Sequence, residues 1–408
     1  MRRRVVRVAL VEVLIALIGL LLVVGTLVID DDPAPGDGSP GASSSPSETS
    51  SSTSPSTSPS TTPTTTPSVT LTPTPDCEPD VALVDEEATP EALCLAQRLD
   101  EWRRTGVMGV GQQLNVSTSD YLAPLRQLEP QRVALVGFDL EELAKADTFD
   151  FEHPPVETLL ELAADGVVLT ASWHTANPAT GQDARDLSWR DLGALLDPET
   201  PQAEAFWADY DAKLDLLRRL QTGEDGRFQP AAVLFRPLHE ANGDWFWWSR
   251  ADPAAYRALW AELQGHAADA GVHNIVWGWS ANARAHDEIV DPMTLVPERV
   301  DLVGLDSYDP VTDGGPPQLD LTGLAELAAA HPRTAITETG PHGSKDGAWD
   351  PRVITQSALS AGVRPTYALL WFDDGNGGDG YTGRKQIASL RGGRAWLATC
   401  PDGLCPLS

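Results

Sequence analysis

Short apolar runs of strand length alternate with stretches of helical periodicity along most of this chain. That alternation constrains the fold more than any other feature. The runs fall at residues 107–112, 132–138, 167–172, 231–238, 275–279, 302–305, 335–337 and 366–371. Helical patterns occupy 156–164, 203–220, 253–270, 321–330 and 351–361. In 253–270 the apolar positions are Tyr256, Leu259, Trp260 and Leu263. Such alternation predicts an α/β fold built on a parallel sheet. Eight units predict a closed (β/α)8 TIM barrel. A doubly wound open sheet is the other candidate, but no glycine-rich phosphate-binding motif follows any of the strands.

Catalytic groups sit at strand C-termini in such barrels. The ends of these runs carry a coherent set. Gln112 and Gln113 follow the first, and Trp173 and His174 the third. Arg236, His239 and Glu240 follow the fourth, Trp279 and Asn282 the fifth, and Asp306 and Tyr308 the sixth. Glu338 follows the seventh, and Trp371, Asp373 and Asp374 the eighth. The stretch from Phe235 to Trp248 is the densest: cation, imidazole and carboxylic acid, then Trp245, Phe246, Trp247 and Trp248. A carboxylic acid beside flat aromatic rings suits the cleavage of a sugar chain. The acid protonates a glycosidic oxygen, and the rings cover the apolar sugar faces. Glycoside hydrolysis needs a second carboxyl group, and Glu338 offers it. Burial near Trp245 is expected to keep Glu240 protonated, while Tyr308 and Arg236 hold Glu338 ionised. Trp245 and Trp371 are the expected sugar platforms, with Trp247 and Trp248 packing. His174 and His239 are expected to bond sugar hydroxyls or orient the carboxylates, and Arg236, Asp306 and Tyr308 complete the expected substrate-binding set. With Glu240 the imidazoles could instead form a two-histidine, one-carboxylate metal set, but His-Glu-x-x-His is absent, and neither metal nor cofactor is expected.

Composition narrows the partners. With 29 basic and 59 acidic residues, the net charge is −30. That excludes a basic footprint for nucleic acid and suits a neutral polysaccharide substrate. Residues 1–29 read as a signal anchor. Arg2, Arg3, Arg4 and Arg7 precede an apolar run, interrupted by Glu12, that is long enough to span a bilayer. The expected location is the extracellular face of the membrane, or secretion if the segment is cleaved. Residues 30–76, almost wholly Ser, Thr, Pro, Gly and Asp, read as a disordered linker with a reach of about 140 Å. The remainder, 77–408, is the expected catalytic domain. Cys77, Cys94, Cys400 and Cys405 predict two disulfides, with the sequence-local pairings favoured. The acidic, glycine-rich loop 373–380 reads as a solvated loop; its spacing is not that of an EF-hand.

Four motifs, in order, resemble glycoside hydrolase family 26, best known for endo-β-1,4-mannanases. Arg236–Trp248 looks like the family's acid/base region. Ser172-Trp173-His174-Thr175-Ala176-Asn177-Pro178 is similar to its strand-three motif. Gly304-Leu305-Asp306-Ser307-Tyr308 resembles its strand-six motif, and Thr337-Glu338-Thr339-Gly340 its nucleophile motif. Trp371 matches its strand-eight tryptophan. The resemblance covers about residues 105–395. It implies Glu240 as acid/base, Glu338 as nucleophile, and a retaining mechanism with the carboxyl groups roughly 5–5.5 Å apart. β-1,3-1,4-Glucan and β-1,3-xylan are alternative substrates. A non-catalytic carbohydrate-binding module would need one carboxylate lost, and both are present.

Overall fold

Eight parallel strands close into a barrel through the pairing of β8 with β1. In chain order they are β1 (Val107–Gln113), β2 (Leu135–Asp139), β3 (Val168–Trp173), β4 (Val233–Pro237), β5 (Ile275–Asn282), β6 (Leu302–Asp309), β7 (Thr334–Pro341) and β8 (Tyr367–Leu370). The computed structural model describes residues 75–283, 290–310, 317, 319–375 and 383–407. The expected anchor, 1–29, and all but the last two residues of the expected linker, 30–76, lie outside them. So do residues 376–380 of the acidic loop. Among the described residues no helix is long and apolar enough to cross a membrane.

Strand alternation divides the apolar side chains into two packing surfaces. Leu135, Val168, Leu234, Val276, Leu302, Ala335 and Leu369 form one cluster with the apolar face of helix α1 (Pro90–Thr105). Their neighbours Val136, Leu169, Phe235, Trp277, Val303, Ile336 and Ala368 belong to the larger cluster that the later helices join. Those helices are α2 (Leu140–Ala146), α3 (Pro155–Ala164), α4 (Pro201–Gly226), α5 (Pro253–Asp269), α6 (Leu324–Ala330), α7 (Arg352–Ser360) and α8 (Gly393–Leu397). Their starts follow local chemistry. Thr89, Thr200 and Asp252 each accept a first-turn backbone N–H, and a proline opens α1, α4 and α5.

Outside the expected runs fall the short helices α2 and α8, α1, which covers the N-terminal end of the barrel, and β9 (Leu404–Pro406). β9 pairs antiparallel with the first residues of β1 before β2 takes over that edge. Both expected disulfides are formed, Cys77–Cys94 and Cys400–Cys405. They tie down the segment before α1 and the turn before β9.

A buried ion pair fixes α1 beneath the barrel. Asp100, on α1, accepts both Nε and Nη2 of Arg333 at 2.8 Å, and Asp80 N–H donates to it as well. Arg333 also donates to the Val81 carbonyl. Removing one partner leaves the other charge buried and uncompensated. Asp100→Ala is therefore expected to cost about 3–5 kcal/mol, read as a lower urea midpoint with an unchanged slope. A loss below about 1 kcal/mol would rank this pair with ordinary surface salt bridges.

Candidate active site

The end of β4 makes a sharp turn in which two non-glycine residues, Leu238 (φ 49°) and Glu240 (φ 54°), take left-handed backbone angles. Such angles cost on the order of 1–3 kcal/mol each and persist only where the surroundings over-determine them. Here the peptide groups are held one after another. Tyr256 Oη donates to the Leu238 carbonyl (2.9 Å) and Trp248 Nε1 to the His239 carbonyl (2.7 Å). Glu240 N–H donates to Ser280 on β5 (3.0 Å), and Gly243 N–H to Glu240 (2.9 Å). Trp247 and Trp248 are fully buried and serve this scaffold. Trp245 is different. Its ring is half-buried, and its Nε1 donates to Glu240 Oε2 at 2.7 Å. It lies so close to Gly243 that a Cβ there would fall 2.5 Å from the ring.

Glu338 reaches the same space from β7. Between Ile336 and Glu338 that strand carries one residue more than β6, so Leu305 pairs with Ile336 but Asp306 with Glu338. This β-bulge at Thr337 breaks the alternation of faces and re-aims the next side chain. Gly304 makes room for it: a Cβ there would meet the Thr337 side chain at 2.5 Å. Glu338 Oε1 accepts from Arg236 Nη2 (3.0 Å) and Oε2 from Tyr308 Oη (3.0 Å).

One cation faces three carboxyl groups. Arg236, buried at the end of β4, also donates to Ser280 Oγ (3.1 Å) and lies 3.7 Å from Asp306. One oxygen each of Glu240, Asp306 and Glu338 lies within 4.8 Å of the others. A single guanidinium offsets one negative charge, so the neutral form is favoured in the other two groups. Burial, then the Asp306 and Glu338 charges, pushes Glu240 well above the usual carboxylate range. Burial and Glu338 push Asp306 up to about 8. Both oxygens of Glu338 are acceptors, the role of a carboxylate. Burial, reinforced by His174 and Arg236, lowers His239 well below the ordinary imidazole range. Its 3.8 Å approach to Glu338 is thus made by a neutral ring. Among the described residues, the cluster that could geometrically hold a metal is this carboxyl trio, and Arg236 already supplies its counter-charge. The two histidines and Glu240 do not form such a set; His174 Nδ1 is engaged by Asp139 (2.8 Å).

The carboxyl groups of Glu240 and Glu338 open on a cleft of about 450 Å³. His174, His239, Trp245, Tyr308, Trp371 and Asn282 line it as well. Arg236 and Asp306, expected to touch substrate, lie beneath its floor, 1% and 0% exposed. Trp173 and Trp279 are core residues; Trp173 stacks on Tyr210. Gln112 is buried, bonding Ile387 N–H and the Trp371 carbonyl. Asp373 is occupied by the Lys385 and Gln386 N–H groups and the Ser389 hydroxyl. Sequence reading missed several lining residues. Arg185 reaches the cleft from the loop after β3. His342 packs against the Tyr308 ring (4.4 Å), and Lys385, paired with Asp374 (2.7 Å), places its Nζ 5.1 Å from the centre of that ring. Burial and Lys385 bring His342 down to about 4. None of these ends an apolar run, so periodicity could not have found them.

A parallel (β/α)8 barrel with a protonated and an acceptor-only carboxyl group facing each other across an aromatic-lined cleft defines the glycosidase type of site. Residues 84–382 match the model of Glycosyl hydrolase family 26, and the chain belongs to that family. It is 26% identical over 335 residues to a mannan endo-1,4-beta-mannosidase of Bifidobacterium adolescentis, covering 74% of this chain but only 33% of that protein. A Bacillus subtilis protein of the same name is 28% identical over 265 residues, 60% of this chain and 68% of that one. Among solved structures, a GH26 beta-mannanase from Bacteroides ovatus superposes with a TM-score of 0.59 at 24% identity, covering 74% of this chain and 91% of that one. A modular endo-beta-1,4-mannanase from Cellulomonas fimi gives 0.58 at 24% identity, covering 74% and 72%. These superpositions bear on the fold.

The Trp245 bond favours the ionised form of Glu240 and so acts against burial. Trp245→Phe removes the donor and keeps an aromatic ring. Glu240 should then retain its proton to higher pH than in the wild type, followed by carboxyl carbon NMR. A titration that stays in place, or moves to lower pH, contradicts this account.

Proposed function

We propose that this chain hydrolyses β-1,4-mannosidic bonds in mannan, glucomannan or galactomannan with retention of anomeric configuration. The observation that carries this reading is the approach of Glu240 and Glu338 to within 4.8 Å, one proton-bearing and one acceptor-only. That spacing suits a carboxylate attacking carbon directly; inverting sites separate the pair by roughly 6.5–9.5 Å to admit water. Family membership and the names of the relatives support mannan as the polymer.

Glu338 attacks the anomeric carbon as Glu240 gives its proton to the departing glycosidic oxygen. The C–O bond to the leaving sugar breaks, and a glycosyl ester forms on Glu338. Glu240, now ionised, takes a proton from water, whose oxygen attacks the same carbon and releases Glu338. Tyr308 and Arg236 hold the nucleophile in place and take up its charge when it departs. Trp245 and Trp371 are the sugar platforms, and His174 and His239 the polar contacts. Arg236 and Asp306 act through Glu338, from below. The arginine-flanked run within residues 1–29 and the two disulfides support work outside the cell.

Reducing-sugar release on glucomannan, galactomannan, lichenan and β-1,3-xylan tests the substrate. Turnover confined to the last two would overturn the mannan reading. Glu240→Ala should lose about 10²–10⁴-fold in rate. Glu338→Ala should be inactive on polymer, and azide with an activated aryl glycoside should rescue it, giving the α-glycosyl azide. Full activity in either variant would remove that residue from the mechanism. For the wild type, kcat/KM should fall on the alkaline side as Glu240 loses its proton, because its raised pKa keeps the acid form available through neutral pH.

A further inference from the structure

Asp139 ends β2, 3% exposed, and carries no part of the chemistry described above. Its two oxygens nevertheless gather five donors. Oδ1 accepts the N–H groups of Glu141 (3.0 Å) and Glu142 (3.4 Å), which caps α2. Oδ2 accepts the Ser172 hydroxyl (2.9 Å), the His174 N–H (3.0 Å) and His174 Nδ1 (2.8 Å). We propose that Asp139 is a positioning residue of the cleft: it grips both the backbone and the ring of His174, so that Nε2 is the one ring atom offered to the substrate.

The ring so held faces the reaction centre. It meets His239 edge-on at 4.7 Å and Trp371 at 6.2 Å, the walls of the space above Glu338. With Nδ1–H committed to Asp139, the protonation of Nε2 decides whether His174 donates to a sugar oxygen or accepts from a hydroxyl. Burial opposes the charged ring, and the neighbouring His239 ring is neutral. Asp139, through charge and hydrogen bond, together with Glu338 on β7 and Glu142 on α2, outweighs burial. The net shift is upward, so His174 stays an imidazolium donor past the pH at which a free histidine becomes neutral. Only an acceptor-only group serves all five donors. Asparagine has one acceptor and one donor end, so either orientation turns an amide N–H toward a backbone N–H.

This inference rests on the glycosidase reading for its kinetic arm but not for its spectroscopic one. The experiment is Asp139→Asn, with the ring nitrogens of His174 followed by NMR against pH in wild type and variant. Wild-type His174 should titrate above 6.5 with Nδ1 protonated throughout; the variant should titrate at lower pH. On mannan the variant should lose about 100-fold in kcat/KM, the scale of a 1 Å misplacement, and Asp139→Glu should recover part of the upward shift. A wild-type His174 that titrates at or below the free value, or with Nε2 as its protonated neutral nitrogen, overturns the proposal without any variant. So does a folded Asp139→Asn protein with wild-type titration and kinetics. Full activity in Glu338→Ala or Glu240→Ala, which counts against the glycosidase reading, leaves this test untouched, because the ring titration needs no turnover.

Discussion

The site depends on one guanidinium placed inside the barrel. Arg236 has no water to face, being almost fully buried, and its charge is opposed by Glu338 at 3.0 Å and Asp306 at 3.7 Å. Burial alone would disfavour the cation, but the surrounding carboxyl groups outweigh that effect. The arrangement forces an unequal division of protons among three acids. Asp306 and Glu240 are driven toward the neutral form, and Glu338 becomes the partner of the arginine. The opposite protonation states that glycoside cleavage requires therefore come from the count of buried charges.

Geometry is held with equal redundancy. The β4 turn keeps strained left-handed angles at Leu238 and Glu240 because Tyr256, Trp248 and Ser280 each bind a peptide group of that turn. Two of those anchors, Tyr256 and Trp248, are aromatic side chains whose polar atoms hold main-chain carbonyls. A cluster of tryptophans after a barrel strand thus divides its labour. Trp247 and Trp248 secure backbone, and Trp245 alone touches the reactive carboxyl group.

Most of the barrel was legible in the sequence because each strand contains a short apolar run buried on both faces. Pairing of the two glutamates was legible for the same reason, since both follow such runs. Periodicity gave no notice of α1, whose burial depends on closing the barrel floor, or of β9, three residues long and held by a disulfide turn. Arg236 and Asp306 show the limit at the site. Their position at strand ends suggested substrate contact, but the direction of a side chain within a barrel is a three-dimensional fact, and both point below the cleft floor. Asp139 went unnoticed because it lies one residue past the expected run 132–138, and the short helix that it caps has no pattern long enough to read. Lys385 and His342 come from irregular loops, where no period exists to be read.

The bulge at Thr337 has a broader consequence. The distance between the two acids follows from strand register, a property of the main chain, and the hydrogen atom at position 304 is its silent accomplice. Transplanting this chemistry onto another barrel by copying the two glutamates alone would leave the seventh strand in ordinary pleat, its acid turned toward the wrong layer. The portable unit is a pair of neighbouring strands with a mismatch of one residue, and a glycine to accommodate it.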